Sequence, residues 1–565
     1  MKKLSRRQFV AAGAAAAGLQ APAARLSEAA AQPARRPPSP LVTLTSAFKD
    51  TTLDGNRVRL RAYNGQVPGP LIKTFPGDRL RIRVRNLLPL FESPAWDGNH
   101  DVPHQFDATN LHLHGMDVIP HLFEPVGTSN PLAQMISIRS GEQKDYVFDV
   151  PASQPPGLYW YHPHHHGSTV VQAVTGMAGA MIVYGAIDEV PEIKAARDIL
   201  LAVQDIGLFP SDTVPDLWTY EPQQNAIWQT FTGQVTINGA VQPNLKGGFT
   251  TGDYALRYFL LNGRPFFKEV HNGQPGGNPQ QPIGTQLAPT RFRIAPGEVV
   301  RFRMLNANSD NMMPILVEGH DMHLLAMDGV NYGAPRVMPA DPVKGQVLLG
   351  PSNRAEFLIK GSAQPGVYRI LQLAQTQQFL QSAEKVIAEI EIAGPPKDMA
   401  LPTALPLPMR DYPLIKDSEI KRIRRFEFAG NFPGVLNKTV GIDFLINNAL
   451  YAETEVPTVV RLGDAEEWHI VVGDAHHGGT EGHPFHIHVN SFEVISIGGV
   501  KQPPGTIQDT IWVPAATTVV IRMRFKQWTG KSVFHCHILP HEDTGMMQNF
   551  LILKGPAAGA HHRGT

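Results

Sequence analysis

Short stretches in which apolar and polar residues alternate recur along the chain, separated by Gly, Pro and Asn. Residues 80–85, with the sequence LRIRVR, are one example. Successive side chains of a β-strand point to opposite faces, so this alternation is typical of strands with one buried and one solvated face. Long helices are not expected in a chain of 565 residues with 51 Gly and 49 Pro. The pattern predicts an all-β protein.

The chain also contains an internal repeat of three units. Each unit begins with an Asn-Gly or Asn-Asn turn, at Asn64, Asn262 and Asn447, followed by a Gly-Asp or Gly-Glu turn. Each ends in a similar late strand, at 156–161, 365–370 and 530–534. The repeat predicts three consecutive β-sandwich domains of ordinary size, at 41–190, 191–395 and 396–565, after a disordered start at 1–40.

Two segments interrupt the repeat. Residues 272–289 are rich in Gly, Pro and Gln and are predicted to be an inserted loop. Residues 394–413 are rich in proline and are predicted to be a semi-rigid linker between the second and third domains.

The middle repeat differs from the first in its late strand. Where the first unit has His162 and His164, the same offset from Pro-Gly gives Leu371 and Leu373. The middle domain is therefore predicted to be a spacer without metal ligands. Its histidines, His320 and His323, are interpreted as structural.

Composition excludes some partners. The chain carries 50 basic and 50 acidic residues, so no net charge favours nucleic acid or acidic lipid. Length allows two to four domains. Because there is one cysteine, no internal disulfide is possible.

That cysteine, Cys536, lies in the segment HCHILPHEDTGM, residues 535–546. A thiolate, two imidazoles and a weak thioether are the ligands of a blue copper centre. Cys536, His541 and Met546 fit this set, and His483 would supply the second imidazole. The alternative is a free thiol among incidental histidines.

Three more histidine pairs favour metal binding. They are HLH at 112–114, HPH at 162–164, and the run HPFHIH at 483–488. Residues i and i+2 of a strand share a face, so each pair presents two imidazoles in one direction. His535 and His537 form a fourth pair, on the face opposite to Cys536. The pairs predict a second site that holds several metal ions.

Together, the motifs LHLHG, YWYHPHHHG, HPFHIH and HCHILPHEDTGM resemble those of the multicopper oxidases, in the same order. The resemblance covers residues 45–555. It implies three cupredoxin-like Greek-key domains, four coppers per chain, dioxygen as electron acceptor and a monomer.

The resemblance also implies which residues hold each copper. The blue, type 1 copper would be held by His483, Cys536, His541 and Met546. The type 2 copper would be held by His112 and His486. The two type 3 coppers would be held by His114, His162 and His537, and by His164, His488 and His535. Cys536 would pass electrons through its own backbone to the flanking histidines, and the cluster would lie between the first and third domains.

Carboxylates are expected to deliver protons. Glu542, next to His541, matches the acidic residue of the family near the cluster and is the candidate general acid. For the second carboxylate, Asp117 and Glu124 are alternatives.

Other polar residues near the motifs have weaker signals. His165 alternates to the wrong face, and His166 is structural or supports a ligand. His476 and His477 are predicted in a loop at the rim of the mononuclear site, and His561 and His562 in a terminal tail. Asp474 and Glu481 would orient His483 or contact substrate.

The first residues resemble an export signal. SRRQFV at 5–10 is a twin-arginine motif, followed by an alanine-rich stretch and a cleavage candidate at 29–31. The stretch is too short to span a bilayer. Export to the periplasm or the medium is expected, with no membrane span in the mature protein.

The reducing substrate is less defined. The chain has 16 Met and no methionine-rich insert, which cuprous-ion oxidases of the family carry. A laccase-like oxidation of phenols or aromatic amines is therefore expected. The alternatives are a cuprous-ion metallo-oxidase and a copper-binding protein without turnover.

Overall fold

The computed structural model describes most of the chain from residue 40 onward. The described ranges are 40–91, 98–211, 213–220, 235–237, 240–242, 254–270, 283–377, 380–407, 415–431, 434–437, 442–473 and 481–555. Several predicted features lie outside these ranges: the predicted export signal, Asp474, His476, His477, His561 and His562.

Strands dominate the first third of the described chain. They are β1 Leu41–Leu53, β2 Asn56–Tyr63, β3 Gly69–Thr74, β4 Arg79–Asn86, β5 His112–His114, β6 Gln143–Asp149, β7 Gly157–His162 and β8 Gly179–Val183. Helix α1 Thr169–Val174, a 3-10 turn Ala186–Glu189 and helix α2 Pro191–Ala195 follow or interrupt them.

The middle third is also built of strands. They are β9 Arg197–Pro210, β10 Leu217–Thr219, β11 Val235–Ile237, β12 Ala240–Gln242, β13 Leu256–Leu261, β14 Arg264–Val270, β15 Ile283–Gln286, β16 Thr290–Ile294, β17 Val299–Asn306, β18 Met313–Val317, β19 Met322–Met327, β20 Val330–Met338, β21 Val347–Leu349, β22 Arg354–Lys360, β23 Gly366–Gln372, β24 Gln375–Gln377, β25 Leu380–Ser382 and β26 Lys385–Ile392.

The last third begins with a 3-10 turn, Asp417–Glu419. Its strands are β27 Ile420–Asn431, β28 Asp443–Ile446, β29 Thr458–Arg461, β30 Ala465–Val472, β31 His483–Ile487, β32 Phe492–Ile497, β33 Val500–Lys501, β34 Ile507–Gln508, β35 Thr510–Val513, β36 Thr517–Arg524, β37 Gly530–Cys536 and β38 Met547–Leu553. Helix α3 Leu539–Glu542 lies between the last two strands.

The strands pair into sheets that face one another in three sandwiches. The four-stranded sheet β3-β8-β7-β5 faces the β2-β1-β4-β6 end of a 13-stranded sheet. The other end of that sheet, with β9, β17, β22, β19 and β20, faces the five-stranded sheet β16-β26-β23-β18-β21. A seven-stranded sheet around β30 and β36 faces the five-stranded sheet β29-β38-β37-β31-β35.

Each sandwich encloses an apolar core. The first is built around Ile82, Val84 and Phe148, the second around Phe302, Phe357 and Ile390, and the third around Trp468, Phe485 and Phe534. The all-β prediction is confirmed, and alternating burial along β4 follows its sequence pattern. The domain boundaries at 190 and 395 stay predictions, and the first is crossed by a continuous sheet in which β10 joins β9 to β2.

The predicted inserted loop 272–289 is partly wrong. Residues 272–282 lie outside the described ranges, whereas residues 283–286 form β15, which pairs with β14. The Gln286 side chain donates to the carbonyl of Phe266 and accepts the N–H of Val386. In the predicted linker, Leu405 donates its N–H to the carbonyl of Gly333, so this segment is attached to the middle sandwich. The helices of the described chain are all too short or too polar to cross a membrane.

Candidate metal centres

Two pairs of neighbouring strands place the histidine motifs side by side. In the first sandwich, β5 pairs with β7 so that His112 lies opposite His162. In the third sandwich, β31 pairs with β37 so that His486 lies opposite His535. Each strand pair therefore presents imidazoles from two motifs on one face.

The two faces meet across the junction of the first and third sandwiches. The ring of His112 stacks on that of His488, with centroids 3.8 Å apart, and the ring of His114 stacks on that of His486 at 3.9 Å. The structure brings together eight histidines, each at most 3% exposed: His112, His114, His162, His164, His486, His488, His535 and His537.

Several of these rings are fixed by backbone carbonyls. The Nδ1 atoms of His162, His486 and His535 lie 2.8, 2.8 and 2.9 Å from the carbonyl oxygens of Pro163, Asp509 and Cys536. A ring nitrogen that donates to a carbonyl leaves the other nitrogen with its lone pair free. This is the usual arrangement of a metal-ligating histidine.

The free nitrogens converge without other partners. Both ring nitrogens of His112 and His537, and the Nε2 atoms of His162 and His486, are buried and have no hydrogen-bond partner among the described residues. The Nε2 atoms of His164 and His488 lie 3.1 and 3.2 Å from that of His535.

Neutral imidazoles that point their lone pairs at one another are costly to bury unless something binds them. Burial lowers the pKa of His162 to about 4 and that of His535 to about 3, so both are neutral donors near pH 7. Imidazole suits copper and other borderline metals, so the donor set fits a copper cluster.

A second, smaller site surrounds Cys536. Its Sγ atom lies 3.4 Å from Nδ1 of His483 and 3.7 Å from Nδ1 of His541, and these two nitrogens are 3.3 Å apart. Burial raises the pKa of the Cys536 thiol. A coordinating cation removes such a proton, so the three atoms form a thiolate and two-imidazole set typical of blue copper.

Met546 belongs to the same structural unit. The N–H of Cys536 donates to the carbonyl of Met546 at 3.0 Å, and the N–H of Met546 donates to the carbonyl of His541 at 2.9 Å. Helix α3 and the turn after it thus return the chain to Cys536, and the Met546 side chain is fully buried in the core around it.

Glu481 contacts a different histidine from the one expected. Its Oε1 atom lies 3.3 Å from Nε2 of His541, and both side chains are buried. The ring of His541 also stacks on Phe444, with centroids 3.9 Å apart. Glu481 therefore contacts His541, and its predicted role in orienting His483 or contacting substrate stays a prediction.

Glu542 lies between two histidines of the cluster. Its carboxylate oxygens are each 3.3 Å from a ring nitrogen, Nδ1 of His164 and Nδ1 of His535. Burial, with a further contribution from the charge of Asp543, raises the pKa of Glu542 well above its ordinary value. The raised pKa favours the protonated form of the Glu542 carboxyl beside the cluster.

Asp543 is a residue that sequence reasoning missed. It accepts the N–H groups of Gly167 and Val170 at 2.7 and 2.8 Å, which joins the fourth motif to the segment after the second. His166 lies 3.3 Å from Asp101 and 3.8 Å from Asp543, while His165 lies 3.5 Å from the Ser168 hydroxyl.

His121 was also missed. Its Nε2 accepts the N–H of Leu113, between the two histidines of the first motif, and its ring stacks on His112 at 5.4 Å. In the middle sandwich, His320 lies 2.8 Å from the carbonyl of Glu318 and accepts the N–H of Ser362. These contacts give His320 a structural role.

The two alternatives for the second carboxylate differ in exposure. The Glu124 side chain is 57% exposed and pairs with Lys144 at 2.5 Å. Asp117 is buried, and its backbone N–H and carbonyl bond Gln154 and Trp528. Besides Glu542, a carboxylate that lies against the cluster is that of Asp509, whose Oδ1 is 3.1 Å from Nε2 of His114.

Comparison with known proteins identifies the class of protein that this fold and these centres define. Multicopper oxidase family models match residues 46–107 and 102–187, 216–387, and 419–556. Together they cover most of the chain. The chain belongs to the multicopper oxidase family and is a copper-dependent oxidase that uses oxygen.

Individual relatives cover nearly the whole chain. A multicopper oxidase of Mycobacterium tuberculosis is 26% identical over 512 residues, which are 89% of this chain and 85% of that protein. A laccase of Bacillus stratosphericus is 24% identical over 91% of this chain and 94% of its own length. The structure of a metallo-oxidase from Campylobacter jejuni matches with a TM-score of 0.63 at 23% identity, covering 91% of this chain and 92% of that one.

Proposed function

We propose that the chain holds four coppers and couples one-electron oxidation of phenols to the four-electron reduction of dioxygen to water. His483, Cys536, His541 and Met546 would hold the type 1 copper. His112 and His486 would hold the type 2 copper. The type 3 coppers would be held by His114, His162 and His537, and by His164, His488 and His535.

The observation that carries this proposal is the position of Cys536. It is bonded on either side to a histidine of the cluster, while its own Sγ faces His483 and His541. When bound, copper would supply single-electron acceptance at the Cys536 site and electron delivery to dioxygen at the cluster. Cys536 would connect the two sites, because its backbone is covalently bonded to His535 on one side and to His537 on the other.

Glu542 would provide protons for this reaction. Its carboxyl oxygens lie 3.3 Å from ring nitrogens of His164 and His535, and water formation would consume protons there. A buried acid with a raised pKa is suited to general acid work near neutral pH. Glu542 and the neighbouring Asp543 are fully buried, so bulk water does not contact the Glu542 carboxyl.

A phenolic substrate is favoured over cuprous ion because the sequence has no methionine-rich insert that would bind cuprous ion. The chain has 16 Met and no methionine-rich insert, whereas cuprous ion prefers thioether and thiolate ligands. Relatives from Bacillus stratosphericus and Bacillus subtilis are laccases by name, which agrees with this choice. Outer-sphere transfer asks little of substrate shape, so a broad range of electron-rich phenols is expected.

The test compares oxygen uptake on 2,6-dimethoxyphenol with uptake on cuprous ion. No cupric ion is added to either assay. Fast uptake on the phenol, and faster than on unsubstituted phenol, supports the proposal. Met546→Leu should extend the range to substrates that are harder to oxidise, because it removes a weak axial ligand. Fast oxidation of cuprous ion with weak activity on phenols would instead favour the second candidate, a metallo-oxidase in copper tolerance.

Export of the folded protein is a further part of the proposal. The motif SRRQFV at residues 5–10 supports the twin-arginine route to the periplasm or medium, with the signal segment removed after export. Replacing Arg6 and Arg7 by Lys should retain the oxidase activity in the cytoplasmic fraction. We further propose that the exported protein is a monomer of three domains, at 41–190, 191–395 and 396–565.

A further inference from the structure

A buried ion pair lies directly behind the histidine cluster. Asp509, between β34 and β35 of the third sandwich, accepts two hydrogen bonds from the guanidinium of Arg354, at 2.9 and 2.7 Å. Arg354 is the first residue of β22 in the middle sandwich. Both side chains are at most 2% exposed, so the pair is screened from water.

Asp509 in turn contacts two histidines of the cluster with two different atoms. Its Oδ1 is 3.1 Å from Nε2 of His114, and its carbonyl oxygen is 2.8 Å from Nδ1 of His486. These contacts assign the protons of both rings, leaving Nδ1 of His114 and Nε2 of His486 free to bind metal. Neither of those nitrogens has a hydrogen-bond partner among the described residues.

The pair is built into the junction of all three sandwiches. Nε of Arg354 donates to the carbonyl of Leu158 in the first sandwich at 3.1 Å. The neighbouring Ser352 and Asn353 donate to the hydroxyl and the carbonyl of Thr510 in the third, at 2.8 and 2.9 Å. The middle sandwich therefore contacts both histidine-bearing sandwiches through one short segment.

Gly115 shows how closely the pair approaches the first motif. It follows His114 with φ +80°, and a Cβ there would lie 2.3 Å from Nη2 of Arg354 and 2.4 Å from Oδ2 of Asp509. Only glycine fits this position, for both its backbone angle and its space. The last residue of the LHLHG motif is thus explained by contact with the ion pair.

We propose that Arg354, from the domain without copper ligands, is a positioning residue of the trinuclear copper site, acting through Asp509 on His114 and His486. The bidentate guanidinium fixes the plane of the Asp509 carboxylate, which orients the His114 ring, and it anchors the residue whose backbone carbonyl contacts His486. Carboxylates behind ligating histidines set ring orientation, and their loss weakens metal binding roughly 10- to 100-fold. This inference rests on the copper assignment proposed above.

The experiment uses the full-length, copper-loaded protein and four variants. Arg354→Lys keeps the positive charge but cannot make the bidentate hydrogen bonds to Asp509, and Arg354→Met removes both the charge and the hydrogen bonds. The double variant Arg354→Met/Asp509→Asn also removes the unpaired carboxylate, which guards against a failure to fold. Arg301→Met is the matched control, since Arg301 is a buried arginine that pairs with Asp188 and Glu356 instead.

The readouts are the type 2 copper EPR signal, blue absorbance, and retention of copper during titration with a chelator. In Arg354→Met and the double variant, we expect a changed EPR signal and cluster copper lost at roughly 10- to 100-fold lower chelator concentration, with blue absorbance retained. Arg354→Lys should fall between these and the unmodified protein. Arg301→Met should lower thermal stability and leave the EPR signal unchanged.

The outcomes separate this inference from the proposed function. An unmodified protein that shows no type 2 signal when loaded with copper contradicts the copper assignment itself. A normal signal in the unmodified protein and an identical one in folded Arg354→Met, with equal copper retention, contradicts the positioning role alone. Equal changes in Arg301→Met and Arg354→Met would show a general structural effect and would also overturn it.

Discussion

The imidazoles of His112 and His488 lie face to face, with centroids 3.8 Å apart and planes inclined by 9°. His112 belongs to β5 of the first sandwich, and His488 follows β31 of the third, so nearly 380 positions of sequence separate them. Neither ring nitrogen of His112 has a hydrogen-bond partner among the described residues, so this stacked pair of neutral imidazoles has little reason to form by itself. A shared cluster of metal ions at this junction explains why both sandwiches turn their histidines toward it.

The division of work between the two sites can be tested at His112. Changing His112 to Leu should stop oxygen reduction, because the type 2 position loses one of its two proposed ligands. The Cys536 site should still accept an electron from substrate. The measurement is anaerobic bleaching of the blue colour followed by admission of air. Recolouring at the normal rate would show that His112 is not a ligand.

Cys536→Ser tests the other site. A hydroxyl cannot give the charge transfer from thiolate to copper, so the blue colour should vanish. The cluster histidines do not depend on the sulfur atom, and about three coppers per chain should remain by metal analysis. A Cys536→Ser protein that stays blue would contradict the assignment of the type 1 site.

The sequence was sufficient to predict the strands and the histidine pairs, because both follow from local patterns. Alternation along β4 reports a face, and the spacing of His112 and His114 places two side chains on one side of a strand. Neighbouring residues of a strand point to opposite faces, so Cys536 between His535 and His537 predicted that the blue copper site adjoins the histidine cluster.

Residues whose role depends on a tertiary partner could not be predicted. Asp509 lies in an ordinary strand sequence, and only its contacts with Arg354 and His114 reveal its position behind the cluster. The middle domain was interpreted as a spacer because its sequence lacks histidine pairs. The lack of histidine pairs gave no information about Arg354, which contacts Asp509. The partner of Glu481 was missed because helix α3 brings His541 back toward it.

Glu542→Gln should separate proton delivery from electron entry. The amide keeps the shape of the side chain but cannot release a proton, so kcat should fall by roughly 10²- to 10⁴-fold. Anaerobic reduction of the blue site by substrate should be unaffected, since Glu542 contacts His164 and His535 instead of His483. The measurement is stopped-flow bleaching beside steady-state oxygen uptake. Equal slowing of both steps would count against the role of Glu542 as a proton donor.

Glu481→Gln should raise the reduction potential of the blue site. A buried carboxylate 3.3 Å from Nε2 of His541 stabilises the more positive, oxidised metal, and the amide removes that charge. The expected rise is on the order of 60 mV, equivalent to a tenfold change in a one-electron equilibrium. Redox titration of the blue absorbance measures it. Glu493→Gln is the control, because Glu493 is a buried glutamate that accepts the N–H of Gly505.

Lys531→Met should destabilise the junction of the first and third sandwiches. The Lys531 ammonium donates to the carbonyls of Pro131, Ala133 and Glu453 at 2.9, 2.7 and 2.5 Å, and lies 4.1 Å from the centroid of the Phe123 ring. Methionine fills similar space but donates nothing, so three carbonyl oxygens would lose a charged donor. We expect the free energy of unfolding to fall by about 3 kcal/mol.

Denaturant unfolding of the copper-free protein measures this loss without a contribution from bound metal. Lys194→Met serves as the control, because Lys194 is 64% exposed and pairs with Glu189 at the surface, where an ion pair is worth little. The control should stay within about 0.5 kcal/mol of the unmodified protein. If Lys531→Met behaves like Lys194→Met, the carbonyls must be satisfied by water at no cost, and Lys531 does not hold the two sandwiches together.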